Sequence, residues 1–289
     1  MNSSEYFLPQ NDYVFKKLFG YIGSENITSN LFESVVKNHK VNTITLDQNP
    51  FTEKDLMSDK LGILDIKATV NNNIPCNLEM QVIPKKYLAK RIIFYWSKLF
   101  ISTIQSGQSY EKLNKTIVIL FANFELDEID SSLADITDFH TKWCIHEDTH
   151  HEYILSDVFE IHIISLKTLE KFENLDYNID DIDLINWAKF IKNPNSLEAS
   201  AMNNIYIKEA KEKFDKLKDD EHERALAESR MKYIRDMNAI QDYGYDKGFE
   251  KGSKNKSIEI AKNMLKENLD INLIIKLTGL SKEEIEKLN

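Results

Sequence analysis

Leu61–Val70 reads LGILDIKATV and Pro75–Ile83 reads PCNLEMQVI, with Asn71-Asn72-Asn73 and Ile74 between them. Both flanks are rich in aliphatic and β-branched residues. Asparagine accepts the left-handed backbone that tight turns demand, so the stretch predicts a β-hairpin. Side chains alternate between the faces of a strand, so Ile63, Asp65 and Lys67 share one face, as do Asn77, Glu79 and Gln81. With the turn centred on Asn72, Asp65 lies opposite Glu79 and Lys67 opposite Asn77. Like charges directly opposite each other destabilise a sheet. One pKa must rise, or a cation must sit between them. Converging oxygen ligands suit Mg²⁺ or Mn²⁺, hard ions that keep waters and accept phosphate oxygens. The bland alternative is a pair of solvent-exposed carboxylates on a half-buried sheet. The setting weighs against it: apolar residues flank both carboxylates, and strands so apolar are covered on part of both faces.

Upstream, Phe15, Leu18, Phe19 and Ile22 recur at helical spacing, followed by Leu31, Phe32, Val35 and Val36. Asn11 or Asp12 can cap the first helix, and Gly20 and Gly23 interrupt the run. Downstream, Lys85–Ser106 reads as a long helix that stops at Gly107. Thr116–Phe121, TIVILF, is a short apolar strand of the buried type, and Glu160–Leu166, EIHIISL, a weaker one. Helix, hairpin, helix and buried strand give a mixed α/β core over residues 1–195. Residues 196–252 read as a charged helical arm ending in a glycine-containing linker, Tyr243–Gly252. Residues 253–289 read as a small helical tail with the stamp of a helix-turn-helix, in which Gly279 ends one helix and Ser281 with Glu284 boxes the next. Glu283, Glu284 and Glu286 make its last helix poor for a DNA groove, so packing or dimerisation through these helices is the competing expectation.

The whole chain of 289 residues carries a net charge of −10. Its distribution is uneven. Asn123–Asp183 holds 17 acidic residues against three lysines, a local −14, which leaves the remainder at +4. Pro84–Lys98 carries Lys85, Lys86, Lys90, Arg91 and Lys98 with no acid. A basic patch beside an acidic lobe is compatible with a polyanion partner. On a helix, Lys86, Lys90 and Arg91 cluster and can contact phosphates without reading sequence. A plain solvated face is the alternative. No window approaches the roughly 20 apolar residues of a membrane span, and the N-terminus lacks the layout of a signal peptide. Two cysteines, Cys76 and Cys144, are too few for a disulfide framework. The expectation is a cytoplasmic protein with no membrane partner. His146, His150 and His151 have metal-like spacing but read as a polar loop.

A carboxylate on one strand with Glu-x-Gln on the next resembles the PD-(D/E)XK nuclease core. Asn11–Gly20 (NDYVFKKLFG), Asp59–Val70 (DKLGILDIKATV), Asn77–Val82 (NLEMQV), Arg91–Phe100 (RIIFYWSKLF) and Gly107–Phe121 (GQSYEKLNKTIVILF) extend the likeness. With the tail IAKNMLKENLDINLIIKLTGLSKEEIEKL, they are similar to the Rpn family of recombination-promoting nucleases and transposase-like proteins. The resemblance implies a restriction-endonuclease-like α/β core, a small mixed sheet flanked by helices, with a C-terminal helical extension. It implies hydrolysis of DNA phosphodiesters with Mg²⁺ or Mn²⁺ held by Asp65, Glu79 and the main-chain carbonyl of Met80. Gln81 stands where the wider superfamily has lysine. Glutamine orients a water but supplies neither cation nor base, so Lys67 is a candidate substitute. Asp12, in the opening motif, is a candidate further carboxylate, with a capping role equally open. A DNA-binding protein that no longer cuts, and an oligomerising defence or interaction protein, remain alternatives.

Overall fold

A computed structural model describes residues 7–37, 39–47, 66–85, 87–171 and 181–288. Contacts divide the chain into two units, Met1–Tyr233 and Ile234–Asn289.

The first unit opens with α1 (Asp12–Phe19) and α2 (Glu25–Val35). The cap of α1 is Asn11, whose side chain accepts from the Tyr13 N–H. Gly20 is the C-cap, at a point where α1 runs close against the sheet: a Cβ there would meet Ile66 Cγ1 and the Lys16 carbonyl, both at 2.9 Å. The strands are β1 (Ile44–Leu46), β2 (Ile66–Val70), β3 (Ile74–Gln81), β4 (Thr116–Ala122), β5 (His140–Trp143) and β6 (Phe159–Ser165). Among the described residues they form one mixed sheet in the order β1-β2-β3-β4-β6-β5. The β2–β3 hairpin has the predicted register, with Ile66 opposite Leu78 and Lys67 opposite Asn77. Its turn is left-handed at Asn71 (φ 50°) and Asn72 (φ 62°). β3, β4 and β6 then run parallel.

Helices cover both faces of these central strands, which is why β4 reads as an unbroken apolar run. On one face Cys76, Leu78, Met80, Ile117, Ile119, Phe121 and Ile164 pack with α1, α2 and α5 (Ile182–Lys192), including Tyr13, Phe15, Phe32 and Trp187. On the other, Val118, Leu120, Ile161 and Ile163 pack against Leu88, Ile92 and Trp96 of α3 (Leu88–Ile101) and against Phe124 and Leu126. A short α4 (Leu166–Lys171) follows β6. α6 (Ile205–Asp219), read from the sequence as part of a charged arm, buries Ile207, Ala210 and Phe214 in the main core.

α7 spans Glu221–Lys266, so the expected linker Tyr243–Gly252 is helix instead. Three glycines cost such a helix about 1 kcal/mol each relative to alanine, too little to break a proline-free, charge-rich run of this length. In the second unit, the end of α7 closes with α8 (Ile271–Thr278) and α9 (Lys282–Glu286) around Ala261, Ile274, Leu280 and Ile285. Gly279 takes φ 70°, and the Ser281–Glu284 capping box forms as the sequence predicts.

Candidate active site

Asn77, Glu79 and Gln81 project from β3 on the side covered by α3, beside Val118, Leu120 and Ala122 of β4. Glu79 is 3% exposed. A carboxylate that deep in an apolar sheet needs a cation and hydrogen bonds. Both come from close by. Arg91, in the first turn of α3, brings Nη2 to 2.5 Å from Glu79 Oε1. Gln81 Nε2 donates to the same oxygen, and Gln81 Oε1 accepts from Arg91 Nη1 at 3.2 Å. The short connection from β3 into α3 folds the helix back over its own strand, which is what turns Arg91 inward.

Two polar atoms beside this triad are buried and lack a partner among the described residues: Asn77 Oδ1 and Arg91 Nε. Buried polar atoms are normally satisfied, and an orphan at a functional site points to an unfilled role. The Glu79 carboxylate is a hard oxygen donor of the kind Mg²⁺ or Mn²⁺ takes, and the unsatisfied Asn77 Oδ1 lies two residues away on the same strand face. Among the described residues no three His, Cys, Asp or Glu side chains form a ready metal cage. Asp65, the expected second carboxylate, lies outside the described residues, as does Lys86. Met80 sends its side chain into the core on the opposite face.

The other expected residues are dispersed. Lys67 is exposed opposite Asn77. Lys85 is half-buried, while Lys90 is exposed with Nζ 5.9 Å from the Tyr87 ring centre. Asp12 is 8% exposed and held by Arg230 of α7, with Nη2 at 2.6 Å and Nε at 2.9 Å from Oδ2. The three histidines fall in a turn in which His146 Nδ1 meets the His151 carbonyl and His150 meets Glu147.

Residues 9–244 match the family described as PD-(D/E)XK nuclease family transposase. This chain belongs to that family. The transposase-nuclease match covers the sheet, α3 and the start of α7. Residues 254–289 match a second description, the C-terminal HTH domain of the Rpn/YhgA-like nuclease family. Searches of curated proteins and of solved structures gave no significant match. The family assignment accords with the PD-(D/E)XK likeness of the hairpin. It shows an α/β nuclease-family domain followed by a helix-turn-helix, and hence a nuclease-type, DNA-directed chain. Among the described residues no helix is long and apolar enough to cross a membrane.

Sequence reasoning assigned Arg91 to an open phosphate-binding face and left Asn77 without a role. The available signal for Arg91 was position: it lies ten residues after Gln81, one turn into the next helix.

Proposed function

We propose that this chain is a metal-dependent DNA endonuclease in which Asp65 and Glu79 hold Mg²⁺ or Mn²⁺, with the main-chain carbonyl of Met80 as a further ligand. The observation that carries the reading is Glu79, a carboxylate 3% exposed yet braced by Arg91 and Gln81. The hairpin register, with Ile66 opposite Leu78 and Lys67 opposite Asn77, supports Asp65 as the counterpart of Glu79. When bound, the ion supplies an activated water and offsets charge at phosphorus. The protein's own work is positioning. Arg91 pairs with Glu79 and fixes its carboxylate. Gln81 locks the pair through one amide. Lys85, Lys86 and Lys90 contact the phosphate backbone without reading sequence. Assembly into a dimer through the C-terminal helices suits a cutter of both strands.

One observation favours a second reading, a DNA-binding protein that does not cut. The Gln81 amide is spent on Glu79 and Arg91, which leaves it less able to orient a water. Nicking of supercoiled plasmid separates the two. The endonuclease reading expects nicking with Mg²⁺ or Mn²⁺, none in EDTA, and none from folded Asp65→Ala or Glu79→Ala. Salt-sensitive DNA binding without nicking in any metal would establish the second reading.

A further inference from the structure

The outer face of α3 does not resemble a helix that merely covers a sheet. Phe94 is 58% exposed, Tyr87 64% and Ile101 62%. They recur at helical spacing with Lys90 and Lys98 between them, all on one stripe. The cations lie over the rings: Lys98 Nζ is 6.0 Å from the Phe94 centre and Lys90 Nζ 5.9 Å from that of Tyr87. Trp96 and Phe100, by contrast, stack on each other at 4.7 Å against the core, with the Trp96 indole N–H donating to the Thr116 carbonyl. The helix therefore spends one set of aromatics on packing and leaves another in water.

We propose that this stripe is a track for single-stranded DNA, on which unpaired bases stack against Phe94 and Tyr87 while Lys90 and Lys98 hold the flanking phosphates. The choice of polymer rests on the nuclease reading above; the strandedness does not. Duplex DNA offers a protein helix its phosphates and groove edges, with its base faces stacked away. Exposed rings reach a base face there only where a step is unstacked at a cost, whereas a single strand presents a π-face at every base. Charge agrees: α3 carries no acidic residue, in a chain of net charge −10. Continuity also agrees, because Arg91, which grips Glu79, is adjacent to Lys90 and one turn from Phe94. Beside the stripe opens a cavity of about 620 Å³ whose walls include Tyr87, Lys90, Ile93, Trp143 and Phe159. That lies within the roughly 300–1,000 Å³ of small-molecule pockets, and Asp130 is its one carboxylate among the described residues. An apolar wall of this kind accepts a base without reading its edge, so the track is sequence-tolerant.

The test is fluorescence anisotropy in EDTA, with labelled oligo(dT) and a hairpin duplex carrying the same number of phosphates. The full-length proteins are wild type, Phe94→Ala, Tyr87→Ala/Phe94→Ala and Phe94→Trp. Both residues are exposed, so circular dichroism should show unchanged folds. The expected result is that the double variant binds oligo(dT) about tenfold or more weakly, that Phe94→Trp restores binding, and that duplex affinity stays the same. Unchanged oligo(dT) binding, equal losses on both DNAs, or no DNA binding at all would overturn the track. Because the assay excludes metal, it is independent of cleavage. Metal-dependent nicking with unchanged oligo(dT) binding would leave the nuclease reading standing without the track, and ring-dependent binding without nicking would do the reverse.

Discussion

Arg91 Nη2 stands 2.5 Å from Glu79 Oε1, with the two side chains 13% and 4% exposed. Removing one partner of such a pair strands the other charge at a cost of about 3–5 kcal/mol. The carboxylate is the deeper of the two, so Arg91→Ala leaves the worse orphan. The variant should lose about 3 kcal/mol of stability. If Glu79 is a metal ligand, a divalent ion replaces the missing positive charge. Mn²⁺ should then raise the Tm of Arg91→Ala more than that of wild type. Thermal unfolding with and without Mn²⁺ measures this, and equal shifts in the two proteins would place the ion away from Glu79.

Asp12 and Arg230 form a two-pronged ion pair between α1 and α7, both side chains 11% exposed. Nearby, Glu223 accepts from Tyr13 Oη at 2.5 Å and from Lys17 at 2.9 Å, and Asn11 Nδ2 donates to the Ala227 carbonyl at 3.1 Å. These contacts make Asp12 a clasp holding the start of α7 to the core. Asp12→Ala and Arg230→Ala should each cost about 2–3 kcal/mol, and the double variant little more than either, because the residues share one interaction. Urea unfolding gives the cycle. Plasmid nicking gives the second readout: a clasp predicts parallel losses. If Asp12→Ala abolished nicking while an equally destabilised Arg230→Ala kept it, Asp12 would belong to the chemistry.

Gly244, Gly248 and Gly252 lie inside α7 with open space where a Cβ would stand. Each Gly→Ala replacement should therefore add about 0.5–1 kcal/mol of helix stability without a steric penalty. The triple alanine variant should gain helical signal and retain it to higher temperature in circular dichroism. A loss of helicity would mean that the glycines are needed for a bend.

What was legible in the sequence follows the range of the interactions concerned. The hairpin and its register depend on alternation and on asparagine's tolerance of positive φ, both local, and Asn71 and Asn72 adopt it. The Ser281–Glu284 box is likewise local. β1 and β5 were not legible, because Ile44–Leu46 and His140–Trp143 are too short for a period and exist by pairing with β2 and β6. α5 escaped for the opposite reason: Leu184, Ile185, Trp187, Ala188, Phe190 and Ile191 are all buried, so apolar residues ring it and no single face stands out. At the candidate site, the shared strand face of Glu79 and Gln81 could be read from alternation. Arg91 could not, since a basic residue on a helix looks the same whether it meets solvent or a carboxylate until the helix is placed over its strand.

The sheet face opposite Glu79 carries its own polar chain, which makes stability depend on pH. His140 Nε2 is 2.8 Å from His162 Nδ1, His162 Nε2 is 2.8 Å from Glu160 Oε1, and Lys115 and Lys142 reach Glu160 Oε2 at 2.8 and 3.1 Å. Burial, then the neighbouring His162, pushes His140 from 6.5 down to about 4, with Lys37 and Lys142 adding to the shift and Asp181 opposing it. Burial pushes Glu160 up, but hydrogen bonds from His162, Lys115 and Lys142 outweigh it and hold the carboxyl well below its usual range. His140 is therefore neutral in the fold while its unfolded counterpart takes up a proton below 6.5. Its contribution is complete above that pH and drains as pH falls toward 4, by at most about 3 kcal/mol. Glu160 adds a loss only below 4.5, the ordinary carboxyl value. The urea midpoint of wild type should fall more steeply than that of His140→Gln as pH drops from 7.5 to 4.5. Parallel profiles would show that His140 does not titrate with folding.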